Sequence, residues 1–116
     1  MNTKPVACCP GVFDKEQLQE YKKNWGLLEK RRFQTLEIED GLEFQFSSDN
    51  DTLQLSFQWI SFERQCCAFL TFTVIVANKE EPVILQLTGT EDAKSYLKNE
   101  FQNQISVVAS IDEVET

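Results

Sequence analysis

The hydrophobic period of this chain switches between helical and alternating, twice over, and that order of switches leaves few folds open. Asp14 is a good N-cap with Gln17 as its capping-box partner, and Phe13 can staple against Leu18. Leu18, Tyr21, Trp25 and Leu28 then form one stripe of a helix expected to run to about Arg31. Lys30, Arg31 and Arg32 would sit at its end, where cations suit the dipole. Gly26 inside this helix costs about 1 kcal/mol relative to Ala, which suggests the close approach of another element. Alternation follows, with Leu36 and Ile38, a hairpin turn at Asp40-Gly41, and Leu42, Phe44 and Phe46 returning. The capping-type run from Ser47 to Asn50 precedes a second helix, from near Asp51 to Cys67 or Phe69. Leu70, Phe72, Val74 and Val76 pair through a loop at 78–82 with Val83, Leu85 and Leu87. Gly89-Thr90 opens a last helix with Ala93, Tyr96, Leu97 and Phe101 as its apolar stripe, and Glu91 and Asp92 in its first turn.

The order α-ββ-α-ββ-α predicts an α+β fold: a four-stranded antiparallel sheet from two hairpins, with helices on one face. The ββ-α unit occurs twice, as in a pseudo-repeat. Residues 1–12 read as an irregular arm, 13–105 as one domain, and 106–116 as a short strand or acidic tail. At 116 residues, with 41% hydrophobic residues and nine phenylalanines, the chain can fill one core. The net charge of -8 argues against nucleic acid as a partner. The first ten residues carry no apolar signal region, and no run approaches the roughly 20 apolar residues that span a bilayer. The expectation is a cytoplasmic protein with no membrane partner, whose thiols are kept reduced.

Function is written mainly in sulfur. The chain has no histidine, which excludes imidazole catalysis, and its four cysteines form two adjacent pairs, Cys8-Cys9 and Cys66-Cys67. Pro10-Gly11 follows the first pair as a turn signal. The second pair ends the second helix, whose apolar residues fall on two sides: Leu53, Phe57, Ile60 and Cys67, against Leu55, Trp59, Phe62, Cys66 and Phe69. A helix apolar on both sides needs two covers, so it is expected to be central, with a homodimer as one source of the second cover. Glu63 lies between the two sides, three residues before Cys66 and four before Cys67, within reach of both thiols. The negative helix end opposes a thiolate, so Arg64 or a bound cation would have to compensate. Cysteine also packs as a small hydrophobe, which makes core filler the plain alternative. Asp49, Asn50 and Asp51 lack the glycine and distal glutamate of a calcium loop and read as caps. Gly89 is a turn glycine with no phosphate-loop pattern around it.

The run from Ile60 to Phe72, with Val83 to Gly89 and Ala93, resembles a family of small bacterial proteins with an E-R-x-C-C-x-F-L-x-F core and a downstream L-x-L-T-G segment. Glu63, Arg64, Cys66, Cys67, Phe69, Leu70 and Phe72 meet the motif, while Ala68 stands where many relatives have proline. Relatives occur near or fused to MerR-type metal-responsive regulators, and the resemblance implies heavy-metal or thiol-stress biology with such a regulator as partner. It covers residues 50–100 and reaches the N-terminal third only loosely.

The leading expectation is a small thiol protein that binds a soft metal ion (Zn(II), Cu(I) or Hg(II)) through Cys66 and Cys67, with Cys8 and Cys9 closing over the site. Glu63 and Arg64 would support it, and no catalytic residue is assigned. One cysteine from each pair, or a site shared between subunits, serves equally well. The first rival is a thiol redox or transfer protein: Cys66 or Cys67 attacks, Glu63 accepts the proton, Arg64 pairs the charge, and Cys8 or Cys9 resolves. The second is a non-catalytic dimeric interaction domain with buried structural cysteines.

Overall fold

In the computed structural model, which describes residues 12–101, seven elements follow in the expected order. They are α1 (Lys15–Glu29), β1 (Arg32–Ile38), β2 (Gly41–Phe46), α2 (Asn50–Cys66), β3 (Thr71–Ile75), β4 (Val83–Thr88) and α3 (Glu91–Glu100). The arm's first eleven residues, with Cys8 and Cys9, and the segment expected to be strand or tail at 106–116 lie outside the described residues. No described helix is long and apolar enough to cross a membrane.

The helix starts are local chemistry. Asp14 accepts from the Gln17 amide at 2.7 Å while the Gln17 side chain accepts from the Asp14 amide at 3.0 Å, completing the capping box. Asp49 and Thr90 cap α2 and α3 in the same sense, each accepting from a backbone amide three residues on. Helix α1 stops two residues short of the expected Arg31. Lys30 is its C-cap, and Arg31 folds back so that its guanidinium donates to the Leu27 carbonyl at 3.1 Å. Arg31 also pairs with Asp49 and Asp51 at 3.8 and 3.7 Å, joining the end of α1 to the start of α2. This confirms the capping reading of the 49–51 run.

The sheet order is β1-β2-β4-β3, all antiparallel, and it maps onto itself when the two ββ-α units are exchanged. Each inward row runs straight across the sheet, for example Thr35, Phe44, Leu85 and Val74. Leu42, Phe44, Phe46, Val83, Leu85 and Leu87 are buried on that side against the helices. Trp25 of α1, Phe44 of β2, Trp59 of α2 and Phe101 after α3 meet there, with ring centroids from 5.0 to 6.4 Å apart. Tilted and edge-on aromatic pairs of this kind add to area burial. Edge strand β1 departs from a simple pattern: Leu36 and Ile38 face outward in rows with Glu43 and Gly41, and Thr35 is its buried residue. Glu37 points inward at the sheet edge, where Lys94 and Lys98 of α3 reach it at 3.1 and 3.4 Å. The Lys94 hydrogen bond holds the Glu37 carboxyl below its ordinary range.

Helix α2 corrects the two-sided expectation. Its buried residues are Thr52, Ser56, Trp59, Glu63 and Cys66, a single stripe. Leu53 and Ile60 flank that stripe on one side, and Leu55 and Phe62 on the other. The two apolar sides are thus the margins of one broad face, covered by α1 and the sheet. Phe57, 56% exposed, lies outside it. This packing does not call for a second subunit to cover α2.

Two glycines also differ from expectation. Gly41 pairs with Ile38 and Thr88 inside the sheet and does not adopt positive φ, so the turn residues are Glu39 and Asp40. Glycine is needed there because a Cβ would overlap the Leu87 carbonyl oxygen of β4. Gly26 has open space around it, and among the described residues no element approaches α1 at that point. Chemical denaturation should therefore show Gly41→Ala destabilised by about 1–3 kcal/mol, the usual cost of overpacking. Gly26→Ala should be stabilised by up to about 1 kcal/mol through helix propensity and lost chain entropy.

Candidate functional site

Helix α2 ends at the paired cysteines, and the ending shapes the site. Cys66 is the last helical residue; Cys67 is the C-cap at φ -117°, ψ 70°, with its amide still donating to the Glu63 carbonyl. Cys67 is the first residue outside helical geometry, four positions after Glu63. Cys67 Sγ lies 3.2 Å from Glu63 Oε2 and 4.0 Å from Cys66 Sγ. Cys67 is disulfide-bonded in the structure. Both sulfurs are buried, at 4% exposure for Cys66 and 0% for Cys67.

The other carboxylate oxygen belongs to Tyr21. The Tyr21 hydroxyl donates to Glu63 Oε1 at 2.6 Å across 42 residues of chain. Phe13, Tyr21 and Phe62 form a triangle with ring centroids 5.4, 5.5 and 5.8 Å apart. Phe13, Cys66 and Cys67 make a small buried cluster, with Leu18, Tyr21, Phe62, Phe69 and Leu70 packed against it. The residue before the α1 N-cap is therefore part of the thiol site. Phe69 stacks edge-on against Tyr96 at 5.5 Å, bringing α3 to the same region.

Glu63 is 4% exposed, and burial pushes its carboxyl up to about 7. The Tyr21 hydrogen bond pulls the other way, and the negative charge of Glu100 adds to the rise. Burial, then the Glu63 charge, holds the Tyr21 phenol far above its ordinary value, so it remains a hydrogen-bond donor at neutral pH. A carboxylate that changes charge near neutrality beside a sulfur is equipped to take a thiol proton.

Of the residues named from sequence, Glu63, Cys66 and Cys67 come together as expected. Arg64 does not join them: it is exposed and makes no ion pair among the described residues. Cys8 and Cys9 lie outside the described residues. Among the described residues no group of three or more Cys, Asp or Glu side chains is arranged to hold a metal ion. The Tyr21 contact is what the sequence reading missed. Its signal was a hydroxyl within the α1 stripe and an acid at the centre of the α2 stripe, two polar groups on faces that pack together. A surface pocket of about 450 Å³ lies at the other end of α2, lined by residues such as Ser48, Asn50 and Lys79, and holds no thiol.

The chain matches no protein-family model, no curated protein and no solved structure.

The raised Glu63 carboxyl has a signed consequence for stability. The folded state holds this proton more tightly than the unfolded chain does, so stability is greatest below about pH 4.5 and falls as pH rises to about 7. The fall attributable to Glu63 is about 3 kcal/mol, at 1.36 kcal/mol per pH unit. Denaturation of Glu63→Gln across this range should lack that decline. An equal decline in the variant would assign it to other groups.

Proposed function

We propose that this is a thiol redox and transfer protein in which Cys67 is the reactive sulfur, Glu63 accepts its proton, and Cys8 or Cys9 resolves. The contact between Cys67 Sγ, disulfide-bonded in the structure, and Glu63 Oε2 carries this reading, because reduction would set a thiol there against a base whose burial brings it near neutrality. The thiol needs such a base: burial and the negative helix end both oppose its ionisation. Starting from the reduced protein, proton transfer to Glu63 leaves a Cys67 thiolate, which attacks one sulfur of a low-molecular-weight disulfide. The old S–S bond breaks, and the departing thiolate takes up a proton. A second thiolate then attacks the mixed disulfide, releasing the other half as a thiol and closing an intramolecular S–S bond. The external disulfide is reduced by two electrons and two protein thiols are oxidised.

The arm is the natural source of that second thiol. A disulfide between the adjacent Cys66 and Cys67 would require a strained ring. Cys9 is four residues from Phe13, which packs against the pair, and four residues of chain reach at most about 14 Å. Such a short tether corresponds to an effective concentration on the order of millimolar. The burial of both sulfurs favours small reagents and the chain's own thiols over a folded protein substrate.

Fully reduced protein treated with oxidised glutathione at pH 7 should lose two hydrogens, with peptide mapping showing a Cys67 link to Cys8 or Cys9. A Cys66→Ser background makes the assignment unambiguous. Glu63→Gln should slow the reaction about 100-fold, within the usual range for general-base catalysis. Accumulation of glutathione adducts with no internal link, at a rate insensitive to Glu63→Gln, would contradict the reading.

A second reading rests on the 4.0 Å separation of the two sulfurs. Two thiolates on one tetrahedral zinc ion, at about 2.3 Å each, lie about 3.8 Å apart. Cys66 and Cys67 would then supply two ligands of a soft-metal site and the arm's Cys8 and Cys9 the others. The motif resemblance to neighbours of metal-responsive regulators points the same way. Native mass spectrometry of reduced protein with Zn(II), Cu(I) or Hg(II) decides it and reports whether the protein is a homodimer. Stoichiometric uptake that vanishes in Cys66→Ser, Cys67→Ser supports metal binding; equal or no uptake in both proteins rejects it.

A further inference from the structure

We propose that the β3 edge of the sheet is a docking site for a second copy of this chain, which adds its own β3 antiparallel and joins two four-stranded sheets into one. The inference is independent of the thiol chemistry.

The two edges of the sheet differ. An open edge strand offers unpaired amides and carbonyls to any other strand, and proteins that stay single blunt it with bulges and inward-pointing charges. Strand β1 has both: its register shifts between Arg32 and Gln34, and Glu37 turns inward to Lys94 and Lys98. Strand β3 has neither. Its pairing with β4 runs without a shift from Thr71 to Ile75, and no residue from Gln65 to Asn78 is Asp, Glu, Lys or Arg. Among the described residues no strand lies on its outer side. The surroundings are apolar as well. Ile75 and Val76 are exposed, and Phe72 and Val74 are only half-buried. On α2 the exposed Phe57 shares the side of Leu53, which lines one cavity with Val76 and Ala77 just beyond β3. An apolar cluster of this kind along an open edge marks an interaction site.

Charge selects the occupant. The chain carries a net charge of -8, so a basic partner drawn to it would need acidic residues at the contact, and this edge has none. An uncharged edge instead lets two acidic chains meet without like charges in contact. The strand is also its own match. Half a turn about an axis through Thr73, normal to the sheet, sets Phe72 against Val74 and Thr71 against Ile75, with Thr73 opposite its own counterpart. Aromatic and β-branched side chains are favourable cross-strand partners. The same axis keeps the helices of both copies on one face. The inward row Thr35, Phe44, Leu85 and Val74 then continues into Phe72 of the second copy.

The test is analytical ultracentrifugation of the full chain over a range of concentrations. The parent should form a dimer with a micromolar dissociation constant, as suits an interface at the small end of the specific class. Thr73→Lys and Thr73→Glu each set like charges opposite one another and should weaken the dimer at least about tenfold. Thr73 is exposed on the outward face, so neither change enters the core. Mixing the two variants puts opposite charges in register and should restore association. Hydrogen exchange of the parent gives a readout without substitution: β3 amides should lose protection on dilution while β4 amides keep theirs. A monomer at every concentration, a dimer that neither variant weakens, or weakening that mixing does not reverse overturns the proposal. So does β3 protection that persists unchanged in the monomer, which would assign the edge to the chain's own residues 102–116.

Discussion

A carboxylic acid at the centre of a helix's buried face is the constraint on which this structure turns. Burying an ionised carboxylate is costly unless it is hydrogen-bonded, and the usual response is a raised proton affinity. Glu63 shows both compensations: Tyr21 donates to one oxygen, and burial lifts the carboxyl to about 7. The contact also fixes how α1 lies on α2, because it pins a point 42 residues away in the chain. Phe13, Phe62 and Tyr21 then close around it, and the chain entering at Phe13 is brought beside the cysteines. A polar pair that is expensive when half-made specifies one arrangement of the two helices.

Much of the fold was legible because its signals are local. Caps at Asp14, Asp49 and Thr90 depend on residues three positions apart, and the two hairpins follow from alternation and loop length. What was not legible is tertiary. Gly41 reads as a turn glycine, yet its purpose is to let the β4 carbonyl approach. Leu36 and Ile38 read as an apolar face, but register places Thr35 inward and those two outward. On α2 the wheel displays two apolar margins and conceals that the face between them is buried. Thr52, Ser56 and Glu63 look like a polar divide and are in fact its centre line.

The candidate site was legible in the same partial way. Spacing alone put Glu63 within reach of Cys67, because residues four apart share a helix face. It could not supply Tyr21, which belongs to another helix, or the departure of Cys67 from helical geometry. Arg64 was attractive as a charge partner by proximity in sequence, but it lies on the exposed side. In the proposed reading, the reduced Cys67 would be helped by a base that takes its proton, in place of a cation that stabilises its charge.

The most direct measurement is the titration of Glu63 itself, by carbon-13 NMR of selectively labelled side-chain carboxyls, assigned with Glu63→Gln. The account predicts a single carboxyl titrating near pH 7 that disappears in the variant. A Glu63 midpoint in the ordinary range, near 4.5, would mean that the carboxylate is solvated, and the proton-accepting role built on its burial would fall with it.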